Sequence, residues 1–124
     1  MIEEKEKESK QIPAAELSIT IGNNVYVMKR PNIGQIIDME RMKLKMTGGT
    51  HNQMLFSSSQ SQEAYIFTDM VAVFTVLLGD KLQTDLRVAS LLELTPDQAK
   101  DLVAAYENKV FPWLQQLKDL SKKD

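Results

Sequence analysis

"QEAYIFTDMVAVFTVLL", residues 62–78, is the stretch whose reading decides the fold. Ala64, Tyr65, Ile66, Phe67, Met70, Val71, Val73, Phe74, Val76, Leu77 and Leu78 put apolar side chains on almost every side of a helix, and such a helix is buried. The unbroken apolar part, "MVAVFTVLLG" at 70–79, falls well short of the ~20 residues that a membrane-spanning helix requires. It reads as the central core helix, ended by Gly79-Asp80. The remaining segments must cover it.

A chain of 124 residues is long enough for one domain with a core that needs no staples. It contains no cysteine, which excludes disulfides and cysteine-ligated zinc and favours a cytoplasmic setting. Fifteen basic against seventeen acidic residues give a net charge of -2, so no global field gathers phosphate backbones. Residues 1–15, opening "MIEEKEKESK", read as a solvated charged tail without the apolar region of a signal peptide. The domain proper is expected over 16–120, with a short polar tail at 121–124.

Leu17, Ile19 and Ile21 alternate with polar residues, Gly22-Asn23-Asn24 turns the chain, and Val25, Tyr26 and Val27 resume it, which predicts a β-hairpin. Pro31 ends the second strand. The expected class is therefore mainly α with a short N-terminal hairpin (α+β), about four helices packing around the central one. An isolated hairpin is marginal in water, so this one must lean on the helices.

Asn32, with Gln35 three positions on, predicts a capped helix running to about Met46 and stopped by Thr47-Gly48-Gly49. Its wheel carries two apolar stripes. Ile33, Ile36, Ile37 and Leu44 form one, with Glu40 inside it, and Met39, Met42 and Met46 form the other on the nearly opposite side. The Ile/Leu stripe is expected to face the core. The methionine stripe then needs its own occupant, which is either the hairpin, the last helix, or a partner protein held by adaptable side chains. On the partner reading, Met39, Met42 and Met46 form a binding surface extended by Met54 and Phe56, with Met28 beside it.

Residues 47–61, "TGGTHNQMLFSSSQS", read as a long polar loop in which "MLF" at 54–56 either tacks to the body or meets a partner. A shorter helix is expected over Thr84 to Leu92. "LTPDQAKDLVAAYENKVFPWLQQLKDL" starts a final helix with Thr95 as cap, Pro96 at the first helical position and Gln98 completing a capping box. Its stripe of Ala99, Leu102, Val103, Tyr106, Val110, Trp113, Leu114 and Leu117 continues past Pro112, which predicts one kinked helix.

No catalytic residue, cofactor or metal site is expected. His51 is a lone loop histidine, "TGGTH" lacks the rest of a phosphate-binding loop, and Ser57, Ser58, Ser59 and Ser61 have no partnered base. The basic strip of Lys29, Arg30, Arg41, Lys43 and Lys45 has no interleaved aromatic residues beyond Tyr26 and reads as a solvated face. Neither nucleic acid nor a membrane is an expected partner.

The short hairpin, "KRPNIGQIIDMERMKLKM" leading into the first helix, the polar loop, the apolar central helix and "LTPDQAKDLV" together resemble tail assembly chaperones of long-tailed bacteriophages in layout, over roughly residues 16–120. The resemblance implies a non-enzymatic protein of the infected bacterial cytoplasm. It would bind the tape measure protein and tail tube protein during tail morphogenesis and be absent from the finished virion. No binding residue carries over from the family. Alternatives are a structural accessory protein of the virion, in head or tail, and a small regulator that binds a host protein, and a homo-oligomer is a further candidate assembly.

Overall fold

A computed structural model describes residues 15–49 and 59–122. The chain is mainly α with an N-terminal antiparallel hairpin, as the sequence pattern requires. Residues 1–14 of the tail expected over 1–15, the loop residues 50–58 with His51, Met54 and Phe56, and residues 123–124 lie outside the described residues.

Strands β1 (Glu16–Ile21) and β2 (Asn24–Lys29) pair so that Ile21 faces Asn24, leaving Gly22-Asn23 as a two-residue turn. Gly22 is the first central residue and takes φ +62°, a conformation that glycine adopts without steric cost and the one a type II′ turn needs at that position. Alternation then sorts the side chains. Ile19, Ile21, Tyr26 and Met28 are buried, while Val25 and Val27 face outward. The buried face leans on the helical body: β2 lies against the central helix and β1 against the start of the last one.

Helix α1 (Ile33–Thr47) begins where the sequence places it. The Gln35 N–H donates to Asn32 Oδ1 at 2.8 Å and the Asn32 N–H donates to Gln35 Oε1 at 3.0 Å, a closed capping box. Gly48, left-handed at φ +62°, ends the helix. Helix α2 (Ser59–Leu78) begins before the expected Gln62, so Thr47 and residues 59–61 are helical and the connection is shorter than 47–61. Met70, Val71, Ala72, Val73 and Phe74 are consecutive and all buried, so α2 is the centre of the core.

After α2 the structure departs from the expected helix over Thr84–Leu92. Helix α3 (Asp80–Leu86) starts directly after Gly79, whose φ of +64° turns the chain, with Asp80 in its first turn where an acid is favoured. Arg87 stops it in the left-handed region at φ +61°, and a 3₁₀ turn (Leu91–Glu93) follows with Ser90 as its cap. Gly79-Asp80 is thus an end and a start together, and an arginine at a left-handed cap carries no local signal.

The Thr95–Gln98 capping box is present, with bonds of 2.9 and 3.3 Å, although regular α geometry begins only at Lys100. The last helix, α4, runs through Lys100–Ala105, a π turn at Tyr106–Val110 and Phe111–Lys122, continuing two residues beyond the expected end at 120. The sequence predicts a kink at Pro112. The irregularity sits in the turn before it, where the Phe111 N–H donates to the Tyr106 carbonyl in the wide π pattern. Pro112 has no N–H and its ring collides with the carbonyl four residues back, at Asn108, so widening this turn accommodates it. Ala99, Leu102, Tyr106, Val110 and Trp113 are buried along the expected stripe.

The two faces of α1 are reversed from expectation. Met39 is buried at 7% exposure, and Met42 and Met46 are half-buried against the core, whereas Ile33 is 78% exposed and Ile36, Ile37 and Leu44 are exposed too. The methionine face lies on α2, a neighbour absent from the occupants expected for it. Met39→Ala is expected to cost ~2–5 kcal/mol. Ile33→Ala should stay within ~0.5 kcal/mol. Urea unfolding of the two variants checks the reversal directly.

Candidate functional site: a groove between the first and last helices

Of the methionines expected to hold a partner, Met39 is buried and lines a groove between α1 and α4, and Met42 and Met46 are half-buried against the core. Met54 and Phe56 lie outside the described residues. The reversal leaves the Ile/Leu stripe of α1 exposed, and Ile36 of that stripe lines a cavity of about 440 Å³. Ile36, Met39, Glu40 and Lys43 of α1 line one wall, and Tyr65, Asp69 and Val73 of α2 line the floor. The opposite wall is the second half of α4, with Phe111, Leu114 and Leu117. Phe111 is itself 43% exposed at this wall. The groove lining is mostly apolar, with Glu40, Lys43 and Asp69 forming a polar set where α1 meets the floor, and Arg30, Gln115 and Lys118 also on its surface.

The wall on α4 owes its position to the π turn. That turn rotates the following segment relative to an unbroken α-helix, and it sets Phe111 beside Tyr106, their ring centroids 6.1 Å apart. Tyr106 in turn meets Phe74 of α2 edge-on at 6.2 Å. An aromatic chain therefore ties the groove wall to the centre of the core.

The polar floor is an ion-pair set. Lys43 Nζ lies 2.8 Å from Glu40 Oε2 one turn earlier and 3.1 Å from Asp69 Oδ1 on α2. Asp69 is buried, at 8% exposure. A buried carboxylate is costly without a cationic partner, and Lys43 supplies it. Of the basic strip, Lys29, Arg30, Arg41 and Lys45 are exposed as expected, but Lys43 is turned inward. Burial alone would lower the Lys43 pKa. The hydrogen bond to Glu40 and the charge of Asp69 outweigh it and hold the amine above its ordinary value. A lysine serving as a general base needs the opposite shift, towards neutrality.

A second polar contact stands away from the groove. The Tyr26 hydroxyl donates to Asp85 Oδ2 at 2.6 Å, tying the hairpin to α3, and Lys81 Nζ sits 5.6 Å from the Tyr26 ring centroid. Among the described residues no cluster of acids and histidines could hold a metal ion, and no helix is long and apolar enough to cross a membrane. No family model, curated protein or solved structure matches the chain.

Burial, followed by the hydrogen bond and charge of Asp85, pushes the Tyr26 hydroxyl from its usual 10 up to about 12. Burial likewise raises Tyr106 and, with the nearby Asp69, Tyr65. Each of these groups, and Lys43, has a folded pKa above its unfolded value. Their stabilisation is complete below the unfolded values and is lost as pH rises through the folded ones. Urea midpoints are therefore expected to hold from neutral pH to about pH 10 and then fall towards pH 12. Tyrosinate absorbance should appear together with that loss. Tyr26→Phe should lower the neutral-pH midpoint and flatten the alkaline decline.

Proposed function

We propose that this chain is a non-enzymatic protein-binding module, of the kind found in tail assembly chaperones of long-tailed phages. It would act in the infected bacterial cytoplasm, shielding apolar helices of the tape measure protein, and it would also meet the tail tube protein. The observation that carries this reading is the exposed stripe of Ile33, Ile36, Ile37 and Leu44, which reaches a mostly apolar groove at Ile36. Single exposed apolar residues are ordinary, but a contiguous stripe next to a concavity marks an interaction surface. Two walls and a floor made of helices leave room for one more, which is the helix-in-groove mode of recognition. The layout resemblance supplies the client class. The binding surface is the Ile/Leu face of α1 rather than the methionine face, and this exchange keeps the proposed role while relocating its residues.

Co-expression with the tape measure protein of the same genome tests the proposal. The client is expected to become soluble and to co-purify with this chain. Replacing Ile33, Ile36 and Ile37 together by Gln should abolish co-purification while moving the melting temperature little, because all three side chains are exposed. A client that stays insoluble would overturn the reading. Stoichiometric recovery of the chain from purified virions would favour the accessory-protein alternative instead.

A further inference from the structure

We infer that the outer edge of β1 takes one added strand from a partner protein, an extended segment of small and β-branched side chains, at a place separate from the groove between α1 and α4. The pairing of the hairpin fixes which backbone groups are free for it. The Arg30 N–H donates to the Ala15 carbonyl at 3.0 Å, so these two residues form a hydrogen-bonded pair of the antiparallel ladder. Such pairs recur at every second position, which in this register makes them Leu17–Met28, Ile19–Tyr26 and Ile21–Asn24. Glu16, Ser18 and Thr20 therefore turn their N–H and C=O groups away from β2, as Val25, Val27 and Lys29 turn theirs away from β1. Among the described residues no backbone bond takes up the groups of Glu16, Ser18 and Thr20, and all three side chains are exposed. A row of unpaired backbone groups is a template for a further strand.

A cavity singles out the edge of β1. About 400 Å³ in volume, it is lined by Thr20 and Gly22 of the hairpin on one side and by α4 on the other. Asp101, Ala104, Ala105 and Asn108 of α4 follow the spacing of one helical face, with Lys109 beside them, and the two alanines leave depth for the side chains of a strand lying along β1. The side chains of Asp101, Asn108 and Lys109 make no hydrogen bond or ion pair with any described residue. They supply a carboxylate acceptor, an amide that both donates and accepts, and an ammonium donor. That mixture matches a main chain, which offers N–H and C=O groups together, and it suits neither a polyanion nor a run of like charges. Recognition of this kind takes its affinity from the backbone.

A second copy presents its own β1 only together with β2 on one edge and α4 across the cavity on the other. A single free strand is the better fit.

The test uses the full chain and a labelled peptide of Thr, Ser and Val, about eight residues long as ordinary strands are, followed by fluorescence anisotropy. The same peptide N-methylated at every residue is the control. The unmethylated peptide should bind and the methylated one should not, because methylation removes the N–H groups that pair with an edge. In hydrogen exchange the amides of Ser18 and Thr20 should slow when the peptide is added, and those of Val25 and Val27 on the edge of β2 should not. Ser18→Pro removes an N–H that the hairpin does not use, so the chain should keep its circular dichroism and lose about tenfold or more in peptide affinity. Ala104→Arg, at an exposed helical position, should fill the cavity and weaken binding to the same extent. Should Ser18→Pro fail to fold, Ala104→Arg and hydrogen exchange still decide. Absence of peptide binding, equal binding of the two peptides, protection at Val25 and Val27 in place of Ser18 and Thr20, or an affinity unaltered by Ala104→Arg overturns the inference. Sedimentation showing a dimer in which Ser18 and Thr20 are protected without peptide assigns the edge to a second copy and overturns it too.

Discussion

Met70 to Phe74 of α2 are consecutive and buried, and a run of that length covers more than one full helical turn, so no direction around the helix is left to water. Each other element answers to that constraint. The hairpin gives Ile19, Ile21, Tyr26 and Met28 from one side, α1 gives its methionines, and α4 gives Leu102, Tyr106, Val110 and Trp113. Phe74, fully buried, is the kind of side chain whose truncation costs ~3–5 kcal/mol, because neighbours fixed to several elements cannot collapse into the void together. The apolar run of this single helix therefore organises the whole domain.

Most of the elements were legible because their chemistry is local. Asn32 with Gln35 and Thr95 with Gln98 form the reciprocal bonds that their spacing demands, and Gly22 turns the hairpin where only a tight turn fits. The choice of inward face on α1 is different, because it depends on a neighbour and both stripes are apolar. The discriminating signal is Asp69, the single charge between Ala64 and Leu78. A buried acid in that run requires a cation from whichever helix packs on it. Of the cations on α1, Lys43 lies on the flank where Ile36 and Met39 adjoin, whereas Arg41 and Lys45 lie on the other flank of the isoleucines. The 3.1 Å contact between Lys43 and Asp69 is that requirement satisfied, and it holds the flank of α1 that carries Met39 against α2.

Pro112 shows the same dependence of local chemistry on its surroundings. Proline predicts a break in α4, but the stripe from Ala99 to Trp113 stays buried on one body, so the chain absorbs the conflict by widening one turn instead of ending the helix. The widened turn re-phases the second half of α4. Phe111, Leu114 and Leu117 thereby line the groove opposite α1, and the Phe74–Tyr106–Phe111 contacts couple that wall to the core. The groove is a by-product of accommodating proline over a core that cannot move.

The placement of residue types on α1 bears on the role open to the outer stripe. Methionine loses ~1.5–2 kcal/mol of side-chain entropy when ordered, and isoleucine or leucine only about 0.5–1. In a helix, isoleucine is already held largely in one χ1 rotamer before anything touches it. Met39, Met42 and Met46 meet that cost once, during folding, where their flexibility lets them fill the irregular space over α2. Ile33, Ile36 and Ile37 stay exposed, and a surface of stiff side chains needs little further ordering when a partner docks. A methionine surface facing outward would be adaptable but expensive to order, suited to many loosely held partners. An isoleucine surface is stiffer and costs less to order, and that difference separates the observed arrangement of α1 from the one its sequence first suggests.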